Sequence, residues 1–190
     1  SGRCHPSVEA YGFNKRLHLV FGTAFHKQYG IDFNQVALTN LYGEYDVFHE
    51  QRSHVISALI KKIVDAKLGL TGSPILWGTG TPLREFVYVA DAAKVVTDAL
   101  YWETDYWPVN LNGEEITIKR LAEMIADLVE YSGKITWDSS KPDGVPRKCL
   151  SGKKLAAVLT FDYKPMNLKD GLKRTIDWYM ENKEEADKRV

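Results

Sequence analysis

The chain has 190 residues, 44% hydrophobic and 26% charged, enough to bury a core as one domain or as part of a larger one. Its 25 lysines and arginines balance 25 aspartates and glutamates, which excludes a general nucleic-acid or membrane surface but not a local basic patch. No apolar run approaches the roughly 20 residues of a membrane-spanning helix. No signal-peptide pattern is present, and Cys4 and Cys149 fit no metal-ligand spacing and read as reduced thiols of a cytoplasmic protein.

The first predicted element is a helix over 8–29. Pro6 and Ser7 stand at its start, Phe13, Leu17, Val20, Phe21, Ala24 and Phe25 recur at three-to-four spacing, and Gly30 stops it. FNQVAL (33–38) reads as a strand and TNLYGEYDVFHEQR (39–52) as a polar, aromatic loop. Ser53 is expected to cap a second helix, HVISALIKKIVDAKLGL, before two short strands, PILWG (74–78) and EFVYV (85–89). DAAKVVTDALYW (91–102) predicts a helix and PVNLNG a strand; Thr117 caps the helix IKRLAEMIADLVEYSG, and KITWD is a further strand. SKPDGVPRK (140–148) is a charged loop, GKKLAAVL a short helix, and 168–190 one long charged helix. Strands alternating with helices predict an α/β protein with parallel pairing.

No G-x-G-x-x-G or Walker loop occurs. The one Gly-rich stretch, WGTGTPLR (77–84), runs from strand into strand. It lacks the helix N-terminus that would hold a pyrophosphate, so it is no dinucleotide fingerprint.

Tyr11 and Lys15 are four residues apart, which places both on one helix face. A neighbouring ammonium favours the phenolate and suits a tyrosine for proton exchange near neutral pH. The plain alternative is a surface tyrosine beside a solvated lysine. Spacing alone does not decide, because Tyr179 and Lys183 repeat it in the C-terminal segment.

Chain order distinguishes the two pairs. A YxxxK helix, then a strand, then TNLYG, then WGTGTPLREFVYVADAA resembles the extended short-chain dehydrogenase/reductase family, which acts on nucleotide sugars. His54 in SHVISALIKK and the late loop SKPDGVPRK are similar to its GDP-L-fucose synthase branch, from about residue 5 to about residue 185. The resemblance implies the C-terminal part of an NAD(P)-binding Rossmann-type fold with a smaller α/β substrate-binding domain. It also implies NADPH as cofactor, a GDP-sugar as substrate, and 3,5-epimerisation with 4-reduction of GDP-4-keto-6-deoxymannose.

Carried over residue by residue, Tyr11 is the proton donor, Lys15 holds the nicotinamide ribose, and His54 is the acid/base of epimerisation. Lys15, Leu38, Thr39, Asn40, Leu41 and His54 lie along the cofactor; Leu38 stands where the family often has proline. Lys62, Trp77, Arg84, Asp143 and Lys148 hold the GDP-sugar. Lys62 replaces an arginine of some relatives, keeping charge but losing bidentate geometry. Each has a plainer reading: His54 as a first-turn polar residue, Trp77 as core, Asp143 as a turn residue, and Lys141, Arg147 and Lys148 as a solvated loop. Cys149 reads as structural.

The family's N-terminal G-x-x-G-x-x-G half and its upstream serine and cysteine do not occur in these residues. Residues 1–190 are therefore expected to be the C-terminal portion, inactive as a reductase when isolated. Two other readings stand beside it. One is another nucleotide-sugar epimerase or reductase of the superfamily. The other is a non-catalytic fragment that dimerises through its exposed helices: the resemblance implies a homodimer through a helix bundle that includes the YxxxK helix, for which Phe13, Leu17, Phe21 and Phe25 would supply an apolar face.

Overall fold

A computed structural model describes residues 9–49 and 52–189; the readings placed on Cys4, Pro6 and Ser7 lie outside them. The elements follow in chain order: α1 (Glu9–Tyr29), β1 (Val36–Leu38), β2 (Asn40–Tyr42), α2 (Val55–Lys67), β3 (Ile75–Trp77), β4 (Leu83–Tyr88) and α3 (Val89–Asp98). A 3-10 turn (Ala99–Tyr101) precedes β5 (Val109–Leu111), β6 (Glu114–Thr117), α4 (Ile118–Val129), β7 (Thr136–Asp138) and β8 (Arg147–Lys148). Helices α5 (Lys153–Val158), α6 (Leu168–Glu181) and α7 (Lys183–Ala186) finish the chain.

The expected α/β architecture is present. β1 pairs with β5, β2 with β4, and β3 with β7, all in parallel. β4 is the hub. One edge takes antiparallel β6, from Leu83↔Thr117 to Phe86↔Glu114. The other takes β2 over residues 86–88 and β8 over 83–84, end to end. Its residues Glu85 to Tyr88 are buried in succession, the pattern of a strand covered on both faces.

Two apolar clusters hold these layers. In the larger, Ile56, Ile60 and Ile63 of α2 meet Leu121 and Ile125 of α4 and Leu168, Leu172 and Ile176 of α6. The buried stripe Leu121, Ala122, Ile125, Ala126 and Val129 follows the helical period, and each large side chain in it contributes about 1.5–3 kcal/mol. Thr117 caps α4 as expected, accepting from the Arg120 amide at 3.1 Å. In the smaller cluster Ala92 and Val95 of α3 meet Val109, Leu111, Leu155 and Trp102.

Five expectations change, the first being that the end of the charged loop 140–148 forms β8, because residues 147–148 find an edge on β4. The strand over 33–38 shortens to β1, and the following loop contains β2, because residues 40–42 find a partner in β4. β6 is a further strand, formed where its chain meets the edge of β4. Ser53 does not cap α2: its hydroxyl donates to the His49 carbonyl, and the cap position falls to His54, whose side chain makes no capping bond. The long C-terminal helix breaks at Asn182, whose backbone leaves the helical region at φ −115° and whose side-chain amide joins its own backbone N–H on the Trp178 carbonyl, at 2.9 Å.

Helix α1 has no buried residue. Its second half is tied down: Gly22 packs against the Phe33 ring, which stacks on Tyr106 at 5.1 Å, and His26 lies 3.3 Å from Asp32. Gly30 ends the helix at φ +68°, as its lack of a side chain allows. No helix among the described residues is long and apolar enough to cross a membrane.

Candidate functional site

The site is built on the ends of β2, β3 and β4, the first turn of α2 and the loop 139–146. Asn40, Trp77, Arg84 and Asp143 line one cavity of about 250 Å3 together with Val55, Gly80, Pro82, Ile118 and Pro142. Three of the five predicted substrate residues thus converge from separate segments, with one predicted cofactor residue beside them.

The other two substrate residues adjoin it. Lys62 Nζ lies 5.8 Å from the centre of the Trp77 ring and donates to the Ile75 carbonyl at 2.9 Å. Lys148 is paired with Arg84 in the register of β8 on β4, so the two cations stand side by side on strands about 4.8 Å apart. Arg84 donates to its neighbour Leu83's carbonyl at 2.7 Å. Arg147 is removed from the basic cluster: it grips Glu115 through two parallel bonds of 2.7 and 3.1 Å.

Trp77 is 67% exposed in a strand, which rules out the core reading. Besides Lys62 it carries Lys141, whose Nζ is 5.7 Å from the ring centre. Two ammonium groups on one indole make an aromatic platform with positive charge around it. Asp143 accepts from the Thr79 amide and hydroxyl, each at 2.7 Å, and these bonds, the hydroxyl's first, hold its carboxyl below the usual range. Thr79 was not picked out by the sequence; its only signal is its place between Gly78 and Gly80.

A second cavity, of about 330 Å3, is lined in part by chain neighbours of residues that line the first. Leu41, Tyr42, Gly43, Glu44, Tyr45, Asp46, His54 and Val89 line it. Chain neighbours divide between the two spaces: Asn40 and Val55 face one, Leu41 and His54 the other. The exposed His54 imidazole is therefore adjacent to the Trp77–Arg84 cavity through its own backbone. The loop beneath it is fixed. Ser57 donates to Asp46, and Tyr88 donates to Glu44, which Arg174 also approaches at 3.3 Å. Burial and then the Glu44 bond push the Tyr88 hydroxyl up to about 12.

Thr39 and Asn40 both donate to the Glu85 carbonyl, at 3.2 and 2.8 Å. Their side chains thereby fix the turn from β1 to β2, and Leu38 at the carboxyl end of β1 stays exposed. Tyr11 and Lys15 form their expected pair, Nζ 5.5 Å from the ring centre, with Tyr11 66% exposed. Neither lines the two cavities; the structure joins them to the body through Gln35, which donates to the Lys15 carbonyl at 3.3 Å. Cys149 carries an exposed free thiol, which replaces the structural reading. Among the described residues no histidine, cysteine and carboxylate group could hold a metal.

The sequence profile described as "NAD dependent epimerase/dehydratase family" matches residues 1–106. GDP-L-fucose synthase 1 of Arabidopsis thaliana is 39% identical over 179 residues, 93% of this chain and 54% of that protein. GDP-L-fucose synthase of Escherichia coli (strain K12) is 35% identical over 193 residues, 96% of this chain and 60% of that protein. The crystal structure of a GDP-L-fucose synthetase from Naegleria fowleri bound to NADP superposes with a TM-score of 0.89 at 29% identity, covering 96% of this chain and 59% of the other. The chain thus spans little more than half the length of these relatives.

Proposed function

Since the chain belongs to the NAD dependent epimerase/dehydratase family, we propose that it carries the proton-transfer helix and the GDP-sugar site of a GDP-L-fucose synthase. In the intact enzyme that activity is 3,5-epimerisation and NADPH-dependent 4-reduction of GDP-4-keto-6-deoxymannose. The observation that carries this reading is the cavity in which Trp77, Arg84 and Asp143 meet, with Lys62 over the indole and Lys148 beside Arg84.

The chemistry of that cavity suits a nucleoside diphosphate. Arg84 and Lys148 present adjacent positive charge to phosphate oxygens, Arg84 with a fork that fits two of them. Trp77 offers a flat face to a base or sugar ring. Asp143 keeps acceptor capacity beyond its two bonds to Thr79 for a sugar or base donor.

The residues proposed for the cofactor suit the nicotinamide end of NADPH. Thr39 and Asn40 rigidify the carboxyl end of β1 through one shared carbonyl, the place where open α/β sheets bind ligands, and Leu38 is exposed there for an apolar ring face. Leu41 and His54 continue that surface, and Lys15 supplies a hydrogen-bonding cation for a ribose. The cofactor, when bound, supplies the hydride of the 4-reduction. Tyr11 delivers the proton to the C4 oxygen, with the Lys15 ammonium beside it on the same helix face. His54 moves protons at C3 and C5 from its place at the start of α2, where it lines the cavity beside Leu41 and Glu44.

Phe13, Phe21 and Phe25 leave α1 with an exposed apolar face, which we assign to a homodimer contact; light scattering that finds a monomer would sink it. The exposed free Cys149 thiol suits a reducing cytoplasm. The substrate reading is tested by thermal shift of this chain with GDP, UDP and dTDP. GDP is expected to raise the Tm most, and a preference for UDP or dTDP points instead to another nucleotide-sugar epimerase of the family.

A further inference from the structure

The Gly-rich stretch 77–81 runs from β3 toward β4, and the structure gives it a task. The loop 139–145 is exposed throughout. Its ends are pinned. On one side Gly78 and Lys141 bond to the Asp138 carbonyl and Ser140 bonds to the Asp138 carboxylate. On the other, β8 pairs with β4 and the Leu83 amide donates to the Pro146 carbonyl at 2.9 Å. In the middle, the hydrogen bonds to the body among the described residues are those of Asp143 with Thr79.

We propose that Thr79 is a positioning residue: it latches the loop 139–145 through Asp143 and so sets the wall of the nucleotide cavity. This rests on the GDP-sugar reading above. Three features of the stretch serve the latch. The Thr79 hydroxyl is itself oriented by Thr81, oxygen to oxygen at 2.7 Å. Gly78, at φ +80°, leaves the space the carboxylate needs: a Cβ there would stand 2.2 Å from Asp143 Oδ1. Gly144, at φ +72°, turns the loop immediately after Asp143 and brings it near Arg84, with its Cβ position 3.7 Å from Arg84 Nη2. The latch therefore fixes the segment that carries Lys141 to the Trp77 ring and Asp143 to the cavity rim.

The test uses the whole chain and two readouts. Cleavage between Asp143 and Gly144 by a Glu/Asp-specific endoprotease, without nucleotide, reads the latch alone. Thr79→Val keeps the side-chain volume and the amide but removes the hydroxyl, and Gly78→Ala blocks the carboxylate independently. Both are expected to speed cleavage about threefold to tenfold, while Thr79→Ser returns the wild-type rate. Wild-type cleavage in both Thr79→Val and Gly78→Ala overturns the latch. GDP titration reads the consequence. Thr79→Val should weaken binding about threefold to tenfold, and the Thr79→Val/Asp143→Ala double variant should bind no more weakly than Asp143→Ala. Additive losses overturn action through Asp143. If the wild-type chain fails to bind GDP while cleavage responds as stated, the function reading is overturned and the latch is supported.

Discussion

Lys183 holds its ammonium 5.3 Å from the centre of the Tyr179 ring, and Tyr179 is fully buried with its hydroxyl donating to Asp187 at 2.8 Å. The pair has the spacing of Tyr11 and Lys15 and nearly the same geometry, but its phenol is enclosed. Burial first, and the Asp187 bond next, push the Tyr179 hydroxyl far above its ordinary value, so it is a fixed donor within the fold. Tyr179→Phe should cost about 1–2 kcal/mol and lower the Tm without changing GDP binding. Tyr11→Phe, at an exposed position, should leave the Tm within about 1 °C and abolish 4-reduction in the intact enzyme. A Tm loss at Tyr11 matching that at Tyr179 would contradict this division of roles.

The cluster around Tyr179 also sets a pH window. Lys183 lies 2.7 Å from Asp65, and Lys61 lies 2.8 Å from Asp187. Burial opposes both the Asp187 charge and the Lys183 charge, and in each case the hydrogen bonds prevail. Asp187 is held below 3.8 and Lys183 above 10.5. The Asp187 contribution is complete above 3.8 and is lost as pH falls through its lower folded value. Those of Lys183 and Tyr179 are complete below 10.5 and 10.0 and are lost as pH rises through their higher folded values. The Tm should therefore be flat from about pH 5 to pH 9 and fall on both sides. Lys183→Gln should show shallower limbs, and limbs as steep as wild type would refute the assignment.

His54 begins α2 without capping it. Its removal should be cheap for the fold: His54→Gln is expected to change stability by less than about 0.5 kcal/mol. In the intact enzyme the same change should slow solvent-deuterium incorporation at C3 and C5 of GDP-4-keto-6-deoxymannose by about 100-fold or more. Unchanged incorporation would remove His54 from the proposed chemistry.

Arg84 and Trp77 should behave as ligand groups rather than as supports. Arg84→Lys keeps the charge but loses the planar fork, and should weaken GDP binding about tenfold. Trp77→Ala should weaken it to a similar extent with little change in Tm, because the indole is 67% exposed. Calorimetric titration with a parallel melt separates the two effects, and a large Tm loss in Trp77→Ala would mark the residue as structural.

Gly171 is the case in which a usually favourable change should fail. Alanine in place of a glycine inside a helix normally stabilises by about 1 kcal/mol. Here a Cβ would stand 2.2 Å from the hydroxyl of the buried Tyr42. Tyr42 cannot swing away freely, because its ring lies 5.8 Å from that of Tyr88 and 6.5 Å from that of Phe86. Gly171→Ala should destabilise by about 1–3 kcal/mol, and Tyr42→Phe in the same chain should recover part of the loss. A Gly171→Ala protein more stable than wild type would show that Tyr42 yields.

Elements under local chemical control could be read directly from the residues. The period of α1 and its stop at Gly30, the Thr117 cap and the apolar stripe of α4 all depend on residues within one or two turns, so they were legible in order. Motif order likewise singled out Trp77, Arg84 and Asp143, which meet in one cavity. Features that depend on contacts far apart in the chain emerged with the fold. β2 and β6 exist because β4 offers them an edge, and the same YxxxK spacing is exposed in α1 and buried beside Asp187 because packing differs. Thr79 between two glycines means nothing until the loop 139–145 folds back and brings the Asp143 carboxylate, 64 residues away, within hydrogen-bond reach.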